Sequence, residues 1–112
     1  MNDLTRDALE ESIKHWKEVV AEPVRTRVGP AECALCTMFW GSGCNGCPVH
    51  ERTGQISCVG SPFDKFYDAQ STVRWMRERG DAPSPLALEN LVKLAKAELK
   101  FLRSLRPRKQ KK

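Results

Sequence analysis

The sequence contains no apolar run near the roughly 18 residues a membrane-spanning helix needs. It has only two histidines and one tyrosine, and its cysteines number five. The missing apolar run leaves no candidate for a helical membrane anchor. The N-terminal Met-Asn-Asp-Leu-Thr-Arg-Asp carries early acids and no apolar signal core, which predicts a cytosolic chain. An odd set of thiols without an export signal argues against a disulfide framework. Catalytic signatures are also missing. There is no Ser/His/Asp order, no phosphate loop and no carboxylate pair placed for acid–base work. Asp64 and Asp68 share a helix face, but an exposed acid pair four residues apart is ordinary surface. Nothing in the sequence singles out an enzyme.

What is present fits one compact domain. The 112 residues are 40% hydrophobic, enough for a core but marginal for a chain this short, where a staple adds stability. The net charge of +5 is unevenly placed. Residues 91–112 hold nine Lys/Arg against the single acid Glu98, whereas residues 1–90 hold ten Lys/Arg against thirteen Asp/Glu. The basic character belongs to the end of the chain.

Periodicity predicts a mainly α fold of three helices. Leu9, Ile13, Trp16 and Val20 mark one face of a helix over 4–22, with Thr5 as its N-cap and Pro23 as its stop. Ser61-Pro62-Phe63-Asp64 is a cap, a proline at the first helical position and an acid in the first turn. It opens a helix over 62–79 that carries Phe66, Val73 and Met76, is interrupted by Gln70, and is stopped by Gly80. Ser84-Pro85 opens the third, over 85–106, with Leu88, Val92, Ala95, Leu99 and Leu102 as its apolar stripe. The expected core includes Leu9, Ile13, Trp16, Phe66, Val73, Leu88, Val92 and Leu99. Residues 24–30 read as an extended connector, residues 31–60 as an irregular cysteine-rich loop with about two helical turns between Ala31 and Trp40, and residues 107–112 as a basic disordered tail. The domain is expected to span 1–106.

The loop holds Cys33, Cys36, Cys44, Cys47 and Cys58. A Cys-x-x-Cys turn brings two sulfurs to one ion, and backbone amides hydrogen-bond those sulfurs. Two such turns, Cys33/Cys36 and Cys44/Cys47, supply the four soft ligands tetrahedral zinc prefers. Zinc is the first expectation, with four of the five thiols as ligands. The seven-residue spacing between the pairs is short for a zinc ribbon, and a [4Fe–4S] cluster, which also takes four thiolates, is the alternative. His50, three residues after Cys47, and His15, beside Trp16, are candidate replacements for a thiolate. The surplus of thiols favours a closed, structural site over a catalytic one.

The run Cys33-x-x-Cys36, Cys44-Asn45-Gly46-Cys47-Pro48-Val49, Thr53-Gly54, Cys58 and Ser61-Pro62-Phe63 resembles small cysteine-rich proteins of bacteriophages and prophages. Ser12-Ile13-Lys14-His15-Trp16 is a further element of the likeness, which covers about residues 12–68. Those proteins usually carry Tyr where this chain has Phe63. The resemblance implies a phage-type origin, a metal site and a place in the host-cell cytoplasm, and it implies no activity.

Beyond that region, Lys93, Lys96, Lys100, Arg103 and Arg106 fall on the polar side of the third helix, followed by Arg108, Lys109, Lys111 and Lys112. Such a stripe can neutralise nucleic-acid phosphates. No aromatic residues interleave with these cations as a base-stacking platform requires. Trp16, Trp40 and Trp75 are expected in the core or over the metal. The reading is a non-enzymatic metal-binding module that contacts nucleic acid through its last helix. A factor that occupies a host protein and an iron–sulfur redox protein are the alternatives.

Overall fold

The computed structural model describes residues 3–28, 33–39, 41, 43, 46–54 and 61–106. The chain is mainly helical, and no strand occurs among the described residues. In chain order the elements are α1 (Asp3–Ala21), α2 (Ala34–Phe39), α3 (Pro48–Thr53), α4 (Pro62–Glu78) and α5 (Pro85–Ser104). The three long helices fall where periodicity places them. Among the described residues there are five helices and not three, because two short ones form inside the cysteine-rich stretch; the first of them, α2, falls within the two helical turns expected between Ala31 and Trp40. Helix α3 starts on Pro48, whose missing N–H costs nothing at that position. It ends at Gly54, whose φ of 74° is the left-handed conformation that glycine adopts freely, with its N–H returned to the His50 carbonyl at 2.7 Å.

Helix starts behave as the sequence dictates, with one exception. The Ser61 hydroxyl accepts from the Phe63 amide at 3.3 Å, and the Ser84 hydroxyl accepts from the Ala87 amide at 3.1 Å. Thr5 does not cap α1. The helix begins upstream, at Asp3, and Thr5 is buried within it. At its other end α4 stops at Glu78, followed by Gly80 at φ 88°.

Helix α5 packs against both α4 and α1, and α2 lies on α1. The shared core contains Leu9, Ile13, Trp16 and Val19 of α1, Phe66 and Val73 of α4, and Leu91, Ala95, Leu99 and Leu102 of α5. Trp16 is central to it, meeting Phe66 edge-on at 5.1 Å and Phe63 at 6.2 Å. Two expected core members are displaced. Leu88 is 38% exposed and Val92 only half-buried. A helix wedged between two others buries a broad stripe. On α5 that stripe is Leu91, Ala95, Glu98, Leu99 and Leu102, which keeps Ala95, Leu99 and Leu102 of the expected row and takes Leu91 and Glu98 in place of Leu88 and Val92. Trp75 is likewise outside the core, 55% exposed with the Arg79 guanidinium 4.3 Å above its ring.

Gln70, an interruption in the apolar pattern of α4, is buried and has a structural role. Its Nε2 donates to the carbonyls of Pro23 and Thr26, both at 2.9 Å. The connector after α1 is a turn there, closed by Thr26 N–H to Glu22 C=O at 3.0 Å. Gln70 fixes that turn to α4. The described part of the expected extended connector is therefore a turn that opens out only at Arg27 and Val28.

Candidate metal centre and basic face

Cys33 and Cys36 come together as a pair. Cys33 stands immediately before α2, and the first turn of that helix places Cys36 so that its backbone N–H and its thiol both reach the Cys33 sulfur. This is the amide-to-sulfur arrangement a metal-binding Cys-x-x-Cys turn uses. The Ser12 hydroxyl of α1 stands 3.6 Å from the Cys33 sulfur and accepts from the Leu35 amide at 3.4 Å. The Cys33 thiol is held well above its usual range, by the hydrogen bond with Cys36 first and by burial second. It is therefore a neutral thiol that an ion must deprotonate on binding.

Cys47 is buried at the N-cap of α3. No disulfide joins the three described cysteines. Cys44 and Cys58 lie outside the described residues, as does Trp40. The closeness of Gly46 to the Phe39 ring constrains the turn before Cys47. A β-carbon there would stand 3.1 Å from the ring, at a φ of 90°. Among the described residues no group of three or more His, Cys, Asp or Glu side chains is placed to hold a metal ion, so Cys47 does not join Cys33 and Cys36 in one. Of the five expected thiol ligands, the described residues bring together Cys33 and Cys36 alone.

The two histidines differ. His50 sits half-buried on α3. His15 lies edge-on to Trp16 at 6.3 Å, in a recess it shares with Glu11, Lys14, Glu18 and Ala34. Its Nε2 is buried, with no hydrogen-bond partner among the described residues.

Sequence reasoning passed over Glu98. It is the lone acid of the basic segment, and its side chain is 2% exposed in the middle of the buried face of α5. Its carboxyl takes hydrogen bonds from the Phe63 amide and the Ser61 hydroxyl at the start of α4. Atom Oε1 has no partner among the described residues. Burial, then the neighbouring Cys33, push the carboxyl up to about 8, against the opposing pull of those two hydrogen bonds. The signal was present in the sequence: Glu98 continues the Leu91, Ala95, Leu102 row at helical spacing.

The opposite face of α5 carries Lys93, Lys96, Lys100 and Arg103, all exposed. None of the four forms an ion pair among the described residues. Arg106 differs. It makes a two-pronged ion pair with Glu10 of α1, both contacts at 2.7 Å. The pair holds the Glu10 carboxyl below its usual range and raises Arg106 further. Arg106 thus clamps the end of α5 to α1. Arg108, Lys109, Lys111 and Lys112 lie outside the described residues. Comparison of the chain with protein-family models, with curated proteins and with solved structures finds no match in any of the three. No helix among the described residues is long and apolar enough to cross a membrane.

Proposed function

We propose that this chain is a non-enzymatic, metal-stapled helical module of phage type that engages the nucleic-acid backbone through α5. One observation carries the nucleic-acid part. Lys93, Lys96, Lys100 and Arg103 form an exposed row with no ion pair among the described residues, on a helix whose other face is buried. Ten residues of helix span about 15 Å. A rigid row of four cations on that scale suits successive phosphates and reads no bases. The basic tail beyond Arg106 extends the same charge. The metal part is supported by the Cys33–Cys36 turn, with zinc as the expected ion and a [4Fe–4S] cluster as the alternative. An iron-loaded chain is brown when prepared without oxygen, and a zinc-loaded one is colourless.

The test is binding of the full chain to a short duplex across a salt series. The four helix cations by themselves contribute about −3.6 to the slope of log K against log salt, or about 150-fold weaker binding from 50 to 200 mM, and contacts from the tail steepen it. Changing Lys93, Lys96 and Lys100 to Gln together flattens the slope by about 2.7. Binding that ignores salt, or survives the triple change unaltered, defeats the reading. A second reading, capture of a host protein, is favoured by Leu86 and Leu88, 75% and 38% exposed beside Val92 in an open groove at the start of α5. It predicts a nuclease-resistant partner that is lost on Leu86→Ser and kept on the lysine changes.

A further inference from the structure

Two adjacent thiols have a chemistry of their own that needs no ion. The Thr37 amide donates to the Cys33 carbonyl at 2.9 Å, so residues 33–37 make one helical turn. Cys33 and Cys36, three positions apart, share a side of that turn. One turn of helix keeps their α-carbons within the roughly 4.4–6.8 Å that a disulfide spans, and their side chains are hydrogen bonded to each other. The turn is held from outside by α1. The Ser12 hydroxyl accepts from the Leu35 amide at 3.4 Å and stands 3.6 Å from the Cys33 sulfur. The two sulfurs are differently placed. Cys33 packs against the core, whereas Cys36 is half-buried and lies outside that cluster. Both are free thiols, and Cys47, the third described cysteine, is not grouped with them.

We propose that Cys33 and Cys36 are a redox-active dithiol, oxidised to a disulfide by a low-molecular-weight disulfide such as glutathione disulfide. Cys36 is the sulfur an incoming molecule reaches, because Cys33 is backed by the core and by Ser12. Cys36 loses its proton to water, and its thiolate attacks one sulfur of the oxidant. The oxidant's S–S bond breaks, one thiolate leaves, and the other half stays on Cys36 as a mixed disulfide. Cys33 then gives its proton to water, attacks the Cys36 sulfur and expels the second thiolate. The protein's two thiols are oxidised to one disulfide, and the oxidant's disulfide is reduced to two thiols. A Cys-x-x-Cys pair at the start of a helix is the arrangement reversible disulfides use. Sulfurs joined to each other are no longer thiolate ligands, so the pair serves an ion or the disulfide and never both at once. The inference goes beyond the metal reading and does not depend on it.

The experiment equilibrates the reduced full chain, in strong chelator and without oxygen, with a series of mixtures of glutathione and glutathione disulfide. Remaining thiols are trapped by alkylation, and the bonds are located by fragmentation mass spectrometry. The expected product carries a Cys33–Cys36 disulfide, has lost two alkylatable thiols and retains no glutathione on either residue. The same series in denaturant should give less of that disulfide at every ratio, because the turn that aligns the sulfurs is gone. The proposal is overturned if either sulfur pairs instead with Cys44, Cys47 or Cys58, or if glutathione stays on Cys36. It is equally overturned if both thiols remain alkylatable at the most oxidising ratio, or if the yield in denaturant equals that of the folded chain. The thiolate reading is decided separately, by zinc uptake of the reduced chain.

Discussion

Replacing Glu98 by Gln should make the protein more stable, by an amount that grows with pH. In the folded chain burial, above all, pushes the carboxyl up to about 8. In the unfolded chain it titrates at its ordinary 4.5. Below that lower value both states carry the proton and Glu98 costs nothing electrostatically. Between the two values only the unfolded state ionises, so stability falls as pH rises and levels off once the folded group ionises as well. At about 1.4 kcal/mol per unit, the full interval corresponds to a few kcal/mol, most of which is reached by pH 7. That is a large share of the roughly 5–15 kcal/mol that holds a domain together. Glutamine has the same shape, keeps an oxygen for Ser61 and Phe63, and cannot ionise. The assay is denaturant unfolding of the reduced, metal-free chain from pH 5 to 9, followed by helical circular dichroism. The informative quantity is the difference between variant and wild type, in which the other titrating groups cancel. A difference that stays flat across this range would refute the reasoning, because it would mean that Glu98 is solvated or already charge-paired in the folded state.

Other expectations follow from the packing. Leu91→Ala should cost about 2–5 kcal/mol, as a fully buried leucine does. Leu88→Ala should stay within about 0.5 kcal/mol, as surface changes do; equal losses in thermal unfolding would show that the buried face of α5 is misplaced. Gln70→Leu strands the carbonyls of Pro23 and Thr26 and should cost about 1–3 kcal/mol, measured as a lower denaturant midpoint. Arg106→Gln removes an exposed clamp and should lower the unfolding midpoint only slightly. That loss should shrink further in high salt.

The three long helices were legible because their signals are local. Ser61-Pro62 and Ser84-Pro85 fix two starts, Gly80 marks a stop, and Leu9, Ile13, Trp16 and Phe66 recur at helical spacing. Helix α3 was missed although Pro48 and Gly54 punctuate it, because six residues are too few for periodicity to register. On α5 Ala95, Leu99 and Leu102 were placed correctly and Leu88 and Val92 were not, because the helix is rich in leucine at 86, 88, 91, 94, 99, 102 and 105. Several stripes satisfy the spacing equally well, and the choice among them is made by α1 and α4. The roles of Gln70 and Glu98 were hidden for a related reason, although their places on apolar rows were visible. A polar residue on an apolar row reads as noise until the carbonyl, amide or thiol it meets is known, and those partners come from distant parts of the chain. Of the thiol framework, the closeness of Cys33 and Cys36 was readable from their spacing, whereas the Ser12 hydroxyl that meets this turn comes from α1 and was not.

Helix α5 has two faces with opposite electrical demands, and that makes binding and stability separable. Lys96 and Lys100 flank Glu98 in sequence, yet they project to solvent while Glu98 points into the core. Charge on the lysines is screened within a Debye length of about 10 Å at 0.1 M salt. Charge at Glu98 acts in a medium where the same interaction is several times stronger. Lysine-to-glutamine changes should therefore alter salt-dependent binding and leave the unfolding midpoint nearly untouched, and Glu98→Gln should do the reverse. The two sets share no partner, so their effects should add to within about 0.5 kcal/mol when combined. A combined variant that departs from additivity by more than that would mean the lysine row and the buried carboxyl communicate through the helix, and that the basic face cannot be altered without disturbing the core beneath it.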